Sequence, residues 1–285
     1  MDPVDTARYT PGTSYFGRNN YIEYIAGELP VILTAPHGGS LRPAEIPDRT
    51  YGTTVTDLNT GELARAADSA LVRLTGKHAH VVIVHLHRVK LDANREIVEG
   101  AQGDAEAQLA WQEFHQFIAE AKNAISRDLT GGLYLDLHGH GHAIQRLELG
   151  YLLDAGDLRK PNDSLDSRPA FESSSSIRTI SVLSPLSFSE LLRGPSSLGA
   201  LLEAEGFPAV PSDSTPDPGD AEYFAGGYNT AVHGCRGGGQ ICAVQIESNR
   251  VGVRDTEENR ARFASSLARV IERYLQLHLA IDITP

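Results

Sequence analysis

Short apolar runs and longer amphipathic stretches alternate along this chain of 285 residues. Runs rich in Val, Ile and Leu are typical of strands buried on both faces, and apolar residues every three or four positions indicate helices. After an N-terminal hairpin, the runs predict strands at residues 31–35, 78–87, 133–138, 147–153, 177–183 and 241–247. The helical spacing predicts helices at residues 57–75, 104–127 and 187–205, and a closing helix that includes residues 263–274.

The order of these elements predicts the fold class. Strands that alternate with helices are typical of α/β proteins in which helices cover a largely parallel sheet. Residues 154–176 are dominated by Asp, Ser, Pro and Arg, but a strand-like run follows them. We therefore interpret residues 154–176 as a surface excursion within a single domain spanning residues 1–285.

Composition excludes several classes of partner. The formal net charge is −12, which disfavours binding to nucleic acid or to an anionic membrane. No segment approaches the roughly 18 consecutive apolar residues of a membrane span, and the acidic N-terminus lacks the apolar core of a signal peptide. Two cysteines, Cys235 and Cys242, are too few for a disulfide framework. We expect a cytoplasmic protein with free thiols, while the sequence leaves the oligomeric state open.

Histidine follows two of the predicted strands. The run at 31–35 leads into Pro36-His37-Gly38-Gly39, and a later run ends in Asp136-Leu137-His138-Gly139-His140. Ligands bind at the carboxyl edge of strands in open α/β sheets, so two histidines delivered there are candidate ligands of one metal ion, zinc in particular. Asp136 could hold the His138 imidazole in one tautomer. Each histidine alone could equally be a turn residue, but the repeated arrangement favours the metal.

A catalytic zinc ion takes about three protein ligands plus water, so a third ligand is needed. Asp57 lies at the start of the first long helix and is our choice, although an acidic residue there could simply stabilise the helix end. Glu45, in the loop after His37, is the competing candidate.

Two further motifs carry charges to the same edge. Residues 88–95, Arg-Val-Lys-Leu-Asp-Ala-Asn-Arg, follow the valine-rich strand and could bind a substrate carboxylate and polarise a carbonyl. The alternative is a solvated loop paired with Glu96 and Glu99. Glu247 ends the last predicted strand and could act as a general base beside the metal, or could instead pair with Arg250 or Arg254.

Five short motifs together resemble the N-formylglutamate amidohydrolase family, which is similar in turn to aspartoacylase and the zinc carboxypeptidases. The resemblance covers roughly residues 20–275 as separated motifs in matching order. The motifs are Pro36-His37-Gly38-Gly39, Asp92-Ala93-Asn94-Arg95, Asp136-Leu137-His138-Gly139-His140, Gly226-Gly227-Tyr228 and Gln245-Ile246-Glu247.

The resemblance implies a three-layer α/β/α sandwich with a mixed, largely parallel central sheet, as in phosphorylase/hydrolase-like folds. It also implies roles for individual residues. His37 and His138 resemble the zinc histidines, Asn94 and Arg95 the pair that holds the substrate carboxylate, Arg88 the residue that polarises the carbonyl, Glu247 the base, and Tyr228 a pocket residue. Carboxypeptidase-like enzymes take their carboxylate ligand three residues after the first histidine, where this chain has Ser40. The formylglutamate-type pattern, with the acidic residue further on, supports Asp57.

The sequence thus predicts a zinc-dependent amidohydrolase that binds Zn²⁺ through His37, Asp57 and His138 and cleaves an N-acyl amino acid. One alternative is a carboxypeptidase-type metallopeptidase acting on short or acidic peptides. The other is a non-catalytic protein that binds a small molecule or a metal on a hydrolase scaffold.

Overall fold

A computed structural model describes residues 9–129 and 131–284. Its strands are β1 Ser14–Phe16, β2 Ile22–Ile25, β3 Val31–Ala35, β4 His80–Val84, β5 Gly132–Gly139, β6 Leu147–Gly150, β7 Ala209–Val210 and β8 Ile241–Ser248. Its helices are α1 Thr60–Thr75, α2 Ile97–Ala101, α3 Ala105–Asp128, α4 Ala155–Leu158, α5 Asn162–Ser167, α6 Pro169–Ser174, α7 Arg178–Leu183, α8 Phe188–Arg193, α9 Leu198–Ala204, α10 Tyr228–His233 and α11 Glu257–Leu279.

The eight strands form one sheet in the order β1-β2-β4-β3-β5-β8-β6-β7. The four central strands, β4, β3, β5 and β8, run parallel to one another. The hairpin β1-β2 and strand β6 join this centre in antiparallel directions, and β7 pairs with β6 in parallel. The predicted mixed, largely parallel sheet is therefore confirmed.

Helices cover both faces of the sheet. On one face, side chains such as Leu33, Leu135 and Val244 belong to a core shared with residues of α1 and α11. On the other face, Ile32 and Tyr134 belong to a second core that includes residues of α3. Because alternate strand residues point to opposite faces, these two cores require the apolar runs seen in the sequence. The three-layer α/β/α arrangement is confirmed.

One predicted strand, at residues 177–183, is wrong. The segment forms α7, in which Ile180 is buried while Val182 and Leu183 are 67% and 69% exposed. A short apolar run does not by itself distinguish a strand from a buried helix. The predicted helix at 187–205 is also divided, because α8 ends at Arg193 before Gly194-Pro195 and α9 begins at Leu198.

Residues 154–176 contain α4, α5 and α6, and two of their leucines, Leu158 and Leu165, are buried in the first core. In the described ranges, no helix has the length and apolar character to cross a membrane.

The prediction of free thiols is wrong, because Cys235 and Cys242 form a disulfide. Cys235 follows α10 and Cys242 lies in β8, so the intervening glycine-rich turn brings their Cα atoms to 4.5 Å. This separation is within the range that a disulfide requires.

Candidate metal and active site

Three predicted residues meet at the carboxyl edge of the central strands. His37 follows β3, His138 lies in the adjacent strand β5, and Asp57 lies in the loop before α1. The Asp57 N–H donates to the carbonyl of His37 at 3.0 Å, which ties this loop to the end of β3. All three side chains are buried.

The glycines after His37 allow this close packing. A Cβ atom at Gly38 would lie 2.7 Å from the backbone nitrogen of Gly61, and one at Gly39 would lie 2.3 Å from the backbone of His85. Larger residues would therefore displace the turn that carries His37.

The three donor atoms form a nearly equilateral triangle. His37 Nδ1 lies 3.1 Å from His138 Nδ1 and 3.3 Å from Asp57 Oδ2, and His138 Nδ1 lies 3.2 Å from the same oxygen. Tetrahedral coordination with bonds of about 2.05 Å separates neighbouring ligand atoms by about 3.3 Å. The spacing and donor chemistry of this group therefore fit one metal ion.

Buried carboxylates orient both imidazoles. His37 Nε2 lies 2.7 Å from Asp92 Oδ1, and His138 Nε2 lies 2.8 Å from Asp136 Oδ2. An Nε2–H that donates to a carboxylate leaves the lone pair on Nδ1. Lone pairs of both imidazoles and of Asp57 then point at one another. They repel each other unless a cation lies between them.

The charges in this group support one another. Burial alone would raise the pKa of Asp57, but hydrogen bonds and charge from His138 and His37 lower it below its usual range. Burial would likewise raise the pKa of Asp92, but the charge of His37 and the hydrogen bond from its imidazole lower it. For His138, burial lowers the pKa, yet Asp136 and Asp57 raise it well above its usual value. The carboxylates of the site thus strongly favour a positive charge located between them.

Glu247 lies beside His138, because the two residues are partners in the register of β5 and β8. Its Oε1 accepts a hydrogen bond of 2.9 Å from Gln245 Nε2. Burial raises the pKa of Glu247 to about 7 and outweighs the positive charges of His138 and His37, which lower it, while the negative charges of Asp57 and Glu148 raise it further. A carboxyl group with this pKa can both accept and donate a proton near neutral pH.

The predicted alternative for Glu247, an ion pair, does not form in the described part of the chain. Arg254 uses its guanidinium on backbone carbonyls instead, including those of Ser248 at 3.1 Å and His140 at 3.4 Å. Arg250 is exposed.

Arg88 lies next to the metal group. Its Nε donates to Asp92 Oδ2 at 2.9 Å, and its Nη1 lies 3.7 Å from Asp57 Oδ1. Its positive charge is therefore close to the Asp57 carboxylate.

Asn94 is buried and its amide is used by protein atoms. Asn94 Oδ1 accepts from the backbone N–H of Asn229 at 2.8 Å, and Nδ2 lies 3.2 Å from His138 Nε2 and 3.4 Å from Gln245 Oε1. This placement fixes Asn94 against the start of α10, beside the His138 imidazole.

Arg95 and Tyr228 lie on one side of the site, joined by Trp111. The indole N–H of Trp111 donates to the carbonyl of Arg95 at 2.9 Å, and its ring centroid lies 6.0 Å from that of Tyr228. Arg95 is partly exposed and its Nε lies 3.3 Å from Glu99, so the pairing considered as an alternative does occur.

Glu45 lies apart from the histidines. It is exposed, and it accepts a hydrogen bond from the hydroxyl of Tyr21. Asp57 is therefore the carboxylate that the fold brings to His37 and His138, and its side chain does not cap α1, since Asn59 precedes that helix.

A second group, His140, His142 and Glu148, lies nearby but is already bonded internally. His140 Nε2 donates to the carbonyl of Arg146 at 2.8 Å, and its Nδ1 accepts from the His142 backbone at 3.1 Å. His142 Nδ1 lies 2.7 Å from Glu148 Oε1. Because both ring nitrogens of His140 are occupied, this group fits a metal ion less well than the first.

Sequence reasoning missed two residues that support the site. Asp92 orients His37 and binds Arg88, whereas the sequence shows it only as part of the Asp92-Ala93-Asn94-Arg95 motif. The backbone of Asn229 fixes Asn94, and no motif in the sequence marks Asn229. The spacing of four residues between Arg88 and Asp92 is the signal in the sequence that could have indicated their pairing.

The fold resembles that of two solved structures, one of which is a hydrolase. N-formylglutamate amidohydrolase from Ralstonia eutropha JMP134 superposes with a TM-score of 0.53 at 14% sequence identity, covering 95% of this chain and 99% of that one. A gene product from Agrobacterium tumefaciens gives a TM-score of 0.50 at 13% identity, covering 90% and 95%. No family model matches the sequence, and no curated protein matches it significantly. The resemblance predicted from the five motifs is thus confirmed at the level of the fold.

Proposed function

We propose that this protein is a zinc-dependent amidohydrolase that cleaves the amide bond of an N-acyl amino acid. The observation that carries the proposal is the triangle of donors from His37, Asp57 and His138, one strand away from Glu247. Three protein donors are typical of catalytic zinc, whereas structural zinc normally takes four. A zinc ion, when bound, supplies Lewis acidity, which makes water more acidic and a carbonyl carbon more electrophilic.

Glu247 would move the proton in this reaction. Its carboxylate would accept a proton from the attacking water, and the resulting acid would donate it to the leaving amine. The raised pKa of about 7 suits both steps near neutral pH.

Arg88 and Asn94 would act on either side of the metal ligands. Arg88, held by Asp92, would place positive charge near the oxygen on which negative charge develops. Asn94, held by the backbone N–H of Asn229, would line the site beside His138.

The substrate class rests on the site and on the structural neighbour together. The neighbour from Ralstonia eutropha is named for N-formylglutamate, an N-acyl amino acid. Arg95 and Tyr228 would contact such a small, carboxylate-bearing molecule at the side of the site.

A substrate panel tests the proposal. We expect zinc-loaded protein to hydrolyse formyl- or acetyl-amino acids with a higher kcat/KM than peptides. Glu247→Gln should lower kcat by about 10²–10⁴-fold while zinc content is retained, because it removes a general base and no ligand. Faster cleavage of peptides would favour the metallopeptidase, and metal binding without turnover of any panel member would favour a non-catalytic protein.

A further inference from the structure

Gln245 is a buried amide that is hydrogen-bonded at both of its ends. It lies two residues before Glu247 in β8, so both side chains point to the same face of the sheet. Its Nε2 donates to Glu247 Oε1 at 2.9 Å, and its Oε1 accepts from Asn94 Nδ2 at 3.4 Å. Because Gln245 is only 3% exposed, its amide depends on these two partners and not on bulk water.

A backbone group fixes the direction of this chain of hydrogen bonds. The backbone N–H of Asn229 can only donate, and its nitrogen lies 2.8 Å from Asn94 Oδ1. Asn94 must therefore present its oxygen to Asn229 and its NH2 group to Gln245. By the same reasoning, Gln245 presents its oxygen to Asn94 and its NH2 group to Glu247. The orientation of both amides thus follows from one donor that cannot reverse.

The neighbours of Gln245 leave its NH2 group one acceptor. A Cβ atom at Gly227 would lie 2.5 Å from Asn94 Nδ2 and 2.9 Å from Gln245 Oε1, so the glycine packs directly on both amides. Asp136 is the partner of Gln245 in the register of β5 and β8, but other side chains already use both of its oxygens. Glu247 is therefore the carboxylate to which Gln245 donates.

The two oxygens of Glu247 consequently differ. Oε1 faces the N–H of Gln245, whereas Oε2 accepts no hydrogen bond from the described residues and is not sealed from solvent. Because Oε1 is already engaged as an acceptor, Oε2 is the oxygen that remains open to a proton. A proton that Glu247 accepts from water or donates to an amine would therefore move through Oε2.

We propose that Gln245 is a positioning residue, which holds Oε1 of Glu247 and thereby presents Oε2 as the oxygen that exchanges the proton. The inference rests on the proposed function, because it assigns Gln245 a part in the proton transfer that Glu247 performs there. Gln245 acts on the reaction only through Glu247, without contact to the substrate.

Loss of the amide should slow the chemical step without weakening substrate binding. Gln245→Met nearly preserves the length of the side chain and removes both its donor and its acceptor. We expect kcat of the zinc-loaded protein for an N-acyl amino acid to fall about 10- to 100-fold, which is the cost of a misplaced catalytic group, while KM stays nearly constant.

A double-mutant cycle with Glu247→Gln separates this role from a merely structural one. If Gln245 acts only through Glu247, the double variant should be no slower than Glu247→Gln alone. Equal zinc content in the four proteins excludes loss of metal as the cause of slower turnover. Gln145→Met is the matched control, because Gln145 is an exposed glutamine in the loop between β5 and β6, and it should leave kcat and KM unchanged.

Two results would overturn the inference while the proposed function stands. One is an active wild-type protein in which Gln245→Met keeps the wild-type kcat or changes KM alone. The other is a loss of kcat that multiplies with that of Glu247→Gln in the double variant. If Gln245→Met does not fold, Gln245→Leu takes its place in the same cycle. Wild-type protein that hydrolyses no N-acyl amino acid would instead overturn the proposed function, and the role of Gln245 with it.

Discussion

Replacing Glu247 by glutamine should stabilise the metal-free protein at alkaline pH. Burial raises the pKa of this carboxyl from 4.5 to about 7 in the folded chain. Between these values the folded state holds a proton that the unfolded state has lost, so folding stability falls as the pH rises through this window. The difference of about 2.5 units corresponds to about 3 kcal/mol at about 1.4 kcal/mol per unit. Glutamine keeps the size of the side chain and carries no charge, so it avoids this loss.

The assay is urea denaturation in the presence of a chelator at pH 5 and pH 8.5. The stability of Glu247→Gln relative to wild type should rise by up to about 3 kcal/mol between the two pH values. Glu45→Gln is the control, because Glu45 is exposed, and its relative stability should change little. A stability difference for Glu247→Gln that does not change with pH would refute the reasoning.

Three further predictions concern the metal support, the disulfide and the core. Asp92→Asn removes the carboxylate that orients His37, and should weaken zinc binding by about 10- to 100-fold in a competition titration. Thiol titration in denaturant should detect no free cysteine before reduction and two after it, with reduction lowering the unfolding free energy by about 2 kcal/mol; two free thiols in untreated protein would contradict the pairing of Cys235 with Cys242. Leu135→Ala in the central strand should cost about 2–5 kcal/mol by urea denaturation, and a cost below about 1 kcal/mol would argue against its burial.

The sequence predicts the position of site residues best where an apolar run ends. The runs before His37 and His138 predicted buried strands, and parallel neighbours place their carboxyl ends at one edge. The two histidines could therefore be assigned to one site before any distance was known. The same reasoning placed Glu247 at that edge, in the next strand.

Other features depend on the path of loops and on distant neighbours. Asp57 and Glu45 lie in the same long loop, and only the three-dimensional path brings one to the histidines and leaves the other exposed. The segment at 177–183 was mistaken for a strand because a short apolar run fits both elements.

The zinc content of purified protein, measured by mass spectrometry after dialysis, tests the central claim most directly. The account predicts about one zinc ion per chain in wild type and in His142→Ala, and almost none in His37→Ala, Asp57→Ala or His138→Ala, because each removes one of three donors. Wild-type protein that retains no metal after incubation with zinc, or full retention in the three variants, would contradict it.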